Sequence, residues 1–105
     1  MLVNITARYQ VRPEAVEKCV KAVQTLVNYV KENEPVTLFY LANQEIMDPT
    51  RFFHILVFEN ELGLKKHQTS LASKIFVETV YPLALKPLEF MEYNIFASKT
   101  ENWRS

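Results

Sequence analysis

Between residues 2 and 10 the side chains alternate, with Val3, Ile5, Ala7 and Tyr9 on one side and Asn4, Thr6, Arg8 and Gln10 on the other. A period of two predicts a strand with one apolar face. Pro13 and Glu14 then open a helix expected to run to Asn33, because Val16, Cys19, Val20, Val23, Val27 and Val30 recur at three- and four-residue steps. Pro35 stops it, since its ring cannot continue the hydrogen-bond ladder. Val36 to Ile46 is rich in β-branched and aromatic residues, and Asp48-Pro49-Thr50 supplies the turn of a hairpin. The returning segment, Arg51 to Glu59, is apolar on both sides: Phe52, His54, Leu56 and Phe58 on one, Phe53, Ile55 and Val57 on the other. Such a pattern predicts a central strand covered twice.

Glu61 to about Val80 reads as helix in two pieces meeting near Thr69 and Ser70, with Leu64, His67, Leu71, Ile75 and Phe76 as candidate inward positions. Beyond Pro82 and Pro87, Leu88 to Phe96 alternates again as a last strand. The order βαββαβ predicts an α+β, ferredoxin-like split βαβ: a four-stranded antiparallel sheet with both helices on one face. Residues 1–97 form this domain, and 98–105 form a polar tail whose Trp103 is expected to pack on a dimer partner. Two helices leave the other sheet face apolar and uncovered, so the expected assembly is a homodimer packed sheet to sheet, with Asn4 and Arg8 in its interface.

Composition narrows the chemistry. Twelve basic residues balance twelve acidic ones, which offers no broad attraction for a phosphate backbone or an anionic bilayer, so neither nucleic acid nor membrane is an expected partner. There is no apolar run of the roughly 20 residues a spanning helix requires and no signal-peptide pattern after Met1, so the expected location is cytoplasmic. Gly63 is the sole glycine, which rules out a GxGxxG turn, a phosphate-cradling loop and a GxSxG elbow. Cys19 cannot form an internal disulfide, and two histidines do not supply a metal cluster.

Four pieces of the chain carry a resemblance: Val11-Arg12-Pro13-Glu14 after the first strand, Glu34-Pro35-Val36 leading to Leu38 and Tyr40, Asp48-Pro49 before Phe52, and His67-Gln68-Thr69-Ser70. In order and spacing they resemble the antibiotic biosynthesis monooxygenase family of the dimeric α/β barrel superfamily. The chain departs from the family pattern at Val36, where glycine is usual, and at Leu56, Val57 and Phe58, where an acid, one residue and tryptophan are common. Leu71 and Ala72 stand where a second histidine often follows. The haem-degrading branch is the least similar, since its Asn, Trp and His set falls on Ala7, His67 and Val77.

The resemblance implies oxidation of a small phenolic or quinol-type aromatic compound by dioxygen, with no metal, flavin or other cofactor. Alternatives within the same fold are a small-molecule isomerase and a non-enzymatic ligand-binding or regulatory dimer. Oxidation of this kind needs a base, an apolar chamber and one or two donors for the developing oxyanion. His67 and His54 are the candidate catalytic residues; His67 stands at the family's histidine position, three residues from Leu64 and four from Leu71. Each has a structural alternative, His67 as a half-buried cap at the helix break and His54 as a satisfied core histidine. Tyr9, Tyr40 and Tyr93 are candidate donors to a substrate hydroxyl, or ordinary strand tyrosines, and Phe58, Leu71 and Phe76 are candidate walls of the chamber. Cys19 is expected to be a small core residue.

Overall fold

A computed structural model describes residues 1–100; Trp103 and its expected packing lie outside the described residues. Its elements are β1 (Val3–Gln10), α1 (Val16–Asn33), β2 (Thr37–Gln44), β3 (Arg51–Phe58), α2 (Glu61–Thr69), α3 (Leu71–Val80) and β4 (Glu89–Tyr93). Short 3-10 turns at Pro13–Ala15 and Tyr81–Leu83 lead into α1 and out of α3. The strands form one antiparallel sheet in the order β2-β3-β1-β4, the ferredoxin-like arrangement expected from the order of elements. The doubly apolar β3 is central, as its pattern requires.

Side chains that share a side of the sheet follow from the register. Ala7 pairs with His54 and with Phe90, and Ile5 with Leu56, so these residues project from one face beneath the helices. Asn4 pairs with Val57 and Tyr93 on the opposite face. α1 buries Cys19, Val23, Leu26 and Val30 at helical spacing, and together with Tyr9, Val11, Phe52, Val80 and Leu83 the first of these make the larger core cluster. A smaller cluster of Val3, Leu56 and Phe58 lies farther along the sheet, with Tyr40 and Leu64 against it.

Several boundaries differ from the sequence expectation. Pro13 opens a 3-10 turn and the α-helix starts at Val16. β2 ends at Gln44, so Ile46 and Met47 stand exposed at the hairpin tip. The turn itself is as expected: the Asp48 carbonyl accepts from Arg51 N–H at 3.0 Å and its carboxylate accepts from Thr50 N–H at 3.1 Å. β4 stops at Tyr93, because pairing of Asn4 with Tyr93 brings it to the beginning of β1 and leaves no strand to pair with. The predicted break between α2 and α3 is present at Ser70, whose backbone is extended and whose hydroxyl accepts from the Ser73 N–H at 3.1 Å. That break resets the helical phase. In α3 it is Ser73 and Val80 that are buried, while the expected inward positions Leu71 and Ile75 are 71% and 50% exposed. Among the described residues no helix is long and apolar enough to cross a membrane.

Candidate functional site

Between the helices and the sheet lies a cavity of about 390 Å3. Its wall is mostly apolar, with Ile5 and Leu56 from the sheet, Leu26 from α1, Leu64 from α2 and Phe76 from α3. Seven polar side chains interrupt that wall: Tyr9, Tyr40, His54, His67, Gln68, Ser73 and Tyr81.

His54 sits on β3 between two tyrosines from the strands that flank it. The Tyr9 hydroxyl lies 2.8 Å from Nε2, and the Tyr40 hydroxyl lies 2.8 Å from Nδ1. The imidazole is 2% exposed, and this burial pushes its pKa down to about 4, so it is neutral at ordinary pH. Burial likewise holds both phenols well above their usual range; the neighbouring Cys19 adds to this for Tyr9 and the negative Glu34 for Tyr40. Tyr9 reaches the buried Cys19 sulfur at 3.7 Å, and burial raises that thiol as well.

His67 is held differently. Its Nδ1–H donates to Glu34 Oε1 at 2.9 Å and lies 3.2 Å from Oε2, a pair of side chains only 12% and 8% exposed. A carboxylate only accepts, so the ring hydrogen resides on Nδ1 in the neutral tautomer and Nε2 keeps its lone pair. The Thr37 hydroxyl donates to the same Glu34 oxygen at 2.7 Å. The His67 backbone carbonyl accepts from the Ser70 hydroxyl at 2.9 Å and from the Ser73 hydroxyl, which satisfies the carbonyl at the helix break. Tyr40 stands between the two histidines, with ring centroids 5.6 Å from His54 and 6.3 Å from His67; Phe58 lies 5.4 Å from His67.

Gly63 eases this placement. It lies one turn before His67 on α2, and a Cβ there would come within 3.0 Å of Val36 Cγ2. The missing side chain lets α2 approach the segment after α1, which brings His67 to Glu34 across 33 residues of sequence.

Of the residues singled out in the sequence, His67, His54, Tyr9, Tyr40, Phe58 and Phe76 all line the cavity. Leu71 and Tyr93 do not. Leu71 was expected on the inner side by counting helical steps from Leu64 and His67, and the reset at Ser70 turns it to solvent. Tyr93 pairs with Asn4 and therefore lies on the far side of the sheet, 51% exposed. Sequence reasoning missed a role for Glu34. A signal was present: Glu34 caps the C-terminal end of α1, where the helix dipole disfavours an acid, so a buried carboxylate there calls for a compensating partner. Among the described residues no three His, Cys, Asp or Glu side chains converge to hold a metal ion.

Comparison with known proteins places the fold. A candidate antibiotic biosynthesis monooxygenase from Nitrosomonas europaea superimposes with a TM-score of 0.84 at 17% identity, over 90% of each chain. One from Caulobacter crescentus superimposes with a TM-score of 0.84 at 18% identity, over 91% of each chain. Rv0793 from Mycobacterium tuberculosis reaches 0.86 at 14% identity, over 95% of this chain and 100% of its own. No curated protein matches the chain. The sequence model of the antibiotic biosynthesis monooxygenase family matches residues 2–79, a span that includes Tyr9, Glu34, Tyr40, His54 and His67, and the chain belongs to that family.

Proposed function

We propose that the protein is a monooxygenase that oxidises a small phenolic or quinol-type aromatic compound with dioxygen, using its own side chains as the acid–base apparatus. The observation that carries this reading is His67 on the wall of a mostly apolar cavity, held by Glu34 at 2.9 Å, with Tyr40 beside it. Singlet organic molecules react slowly with triplet dioxygen until an anion donates one electron. His67 Nε2 would take the proton of a substrate hydroxyl, and Glu34 would stabilise the imidazolium so formed. The phenolate passes one electron to dioxygen, and the resulting superoxide and phenoxyl radical combine at a ring carbon. Breaking the O–O bond with loss of that carbon's hydrogen yields a quinone and water. One phenol and one dioxygen thus account for one quinone and one water, without an outside reductant. The apolar wall excludes bulk water from the intermediates, and Tyr40 donates to the developing oxygen charge.

The assay is oxygen uptake with a panel of phenols and hydroquinones. Replacing His67 by Gln keeps a hydrogen-bonding side chain and removes the base, so turnover should fall by about 100-fold or more, and Glu34→Gln should lower it by about 10-fold or more. Undiminished uptake in a folded His67→Gln variant would refute the role of His67. Turnover of a substrate under nitrogen with no oxygen requirement would favour an isomerase.

A homodimer belongs to the same proposal. The outer sheet face carries Ile55, Met91 and Tyr93, the last two more than half exposed, and beside them the Asn4 Oδ1 is buried with no hydrogen-bond partner among the described residues. A second copy packed on this face would cover the apolar groups and offer Asn4 a donor. Sedimentation at micromolar concentration should give a dimer; a stable folded monomer there would overturn this assembly.

A further inference from the structure

Tyr40, His54, Tyr9 and Cys19 form one continuous polar chain, of which the first three line the cavity and the last lies inside the core. A neutral imidazole has one N–H and one lone pair, so the chain has two self-consistent directions. In the first, the Tyr40 hydroxyl donates to His54 Nδ1, Nε2–H donates to Tyr9, and the Tyr9 hydroxyl donates to the Cys19 sulfur. The Tyr40 oxygen then faces the cavity only as an acceptor. In the second, the Cys19 thiol donates to Tyr9, Tyr9 donates to Nε2, and Nδ1–H donates to the Tyr40 oxygen. The Tyr40 hydrogen is then free for an oxygen atom in the cavity. The two arrangements differ in the ring nitrogen that carries the hydrogen and in the rotation of two hydroxyls and a thiol; neither needs a charged group.

We propose that the bound ligand selects the direction of this chain, so that one site accommodates both a phenolic hydroxyl and the carbonyl oxygen it becomes on oxidation. A carbonyl oxygen draws the Tyr40 hydrogen and places the His54 hydrogen on Nδ1. A hydroxyl that donates to Tyr40 keeps it on Nε2. The identity of the two ligands rests on the monooxygenase reading, whereas the reversal itself does not require turnover. Burial of both phenols supports it by disfavouring a tyrosinate that would lock the chain in one direction. A site of fixed polarity would leave a buried donor or acceptor unpaired with one of the two ligands.

The test is the tautomer of His54 in 15N-labelled protein, read from two-bond ring correlations under nitrogen with acetophenone and then phenol as probes. Acetophenone should shift the hydrogen to Nδ1 and phenol should hold it on Nε2. Tyr40→Phe should weaken acetophenone binding by about 10-fold or more. The same tautomer with both probes, failure of acetophenone to bind at millimolar concentration, or unchanged acetophenone affinity in Tyr40→Phe would each overturn the inference. Failure of the two readings is distinguishable: a tautomer switch in a protein that consumes no oxygen with any phenol removes the oxidation and leaves the reversible chain. Oxygen uptake with a single fixed tautomer does the opposite.

Discussion

Acid should destabilise this protein through His54 before any active-site chemistry is considered. Burial depresses the folded pKa to about 4, while an unfolded chain carries an ordinary histidine near 6.5. A depressed folded pKa means that the unfolded state binds the proton first. The contribution is therefore fully present above about pH 6.5 and is lost as the pH falls toward about 4. The gap is about 2.5 units at 1.36 kcal/mol each, or about 3 kcal/mol in all, a large part of the stability of a domain this size. Urea unfolding of the wild type and of His54→Gln, at about pH 7 and at steps down to about pH 4.5, isolates the effect, because every other titrating group is shared and cancels in the difference. The variant should be less stable at neutral pH, since glutamine satisfies the two tyrosines less well, yet its stability should fall less steeply with acid. Parallel curves for the two proteins would refute the claim that desolvation of this imidazole governs the acid limb.

The remaining expectations follow from particular contacts. At about pH 11 the buried phenols should still be un-ionised, so Tyr9→Phe and Tyr40→Phe should leave the tyrosinate absorbance unchanged; a drop in either variant would refute burial of that ring as the cause. Gly63→Val forces new methyl groups against Val36, already 3.0 Å from the position of a Cβ, and should lower stability by about 1–3 kcal/mol, with partial recovery in the double variant carrying Val36→Ala. Ser70→Ala removes the acceptor for the Ser73 N–H and a donor to the His67 carbonyl, which should cost about 1 kcal/mol and speed hydrogen exchange at Ser73.

The strands and α1 were legible because each buries one face, and the period of that face reveals the element. β3 was recognisable as central for the same reason, since both its faces are apolar. Two kinds of information were not local. Leu71 was assigned by carrying a helical phase through Ser70, and phase is the property that an extended residue destroys. Tyr93 was grouped with Tyr9 and Tyr40 by residue type, whereas its side of the sheet depends on its pairing with Asn4. Glu34 escaped notice as a functional residue because its significance lies in a partner 33 positions away, brought near by a glycine on another helix. Family resemblance marked Glu34 and His67 separately; only the packing joins them.

The break at Ser70 divides the helical side of the cavity into two parts with separate duties. His67 and its tie to Glu34 belong to α2, while Phe76 and Val77 of the opposing wall belong to α3. A continuous helix would transmit any rotation of its second half to the first. Here the extended Ser70 separates the two helices, and its hydroxyl together with that of Ser73, from α3, donates to the His67 carbonyl across the break. Exchanging the bulky groups Phe76 and Val77 can therefore reshape the chamber without touching the tie between His67 and Glu34, whereas a tilt of α3 reaches His67 through the Ser73 hydroxyl. On the proposed reading, side-chain exchange along α3 is a route by which related chains could diverge in substrate while His67 and Glu34 stay paired.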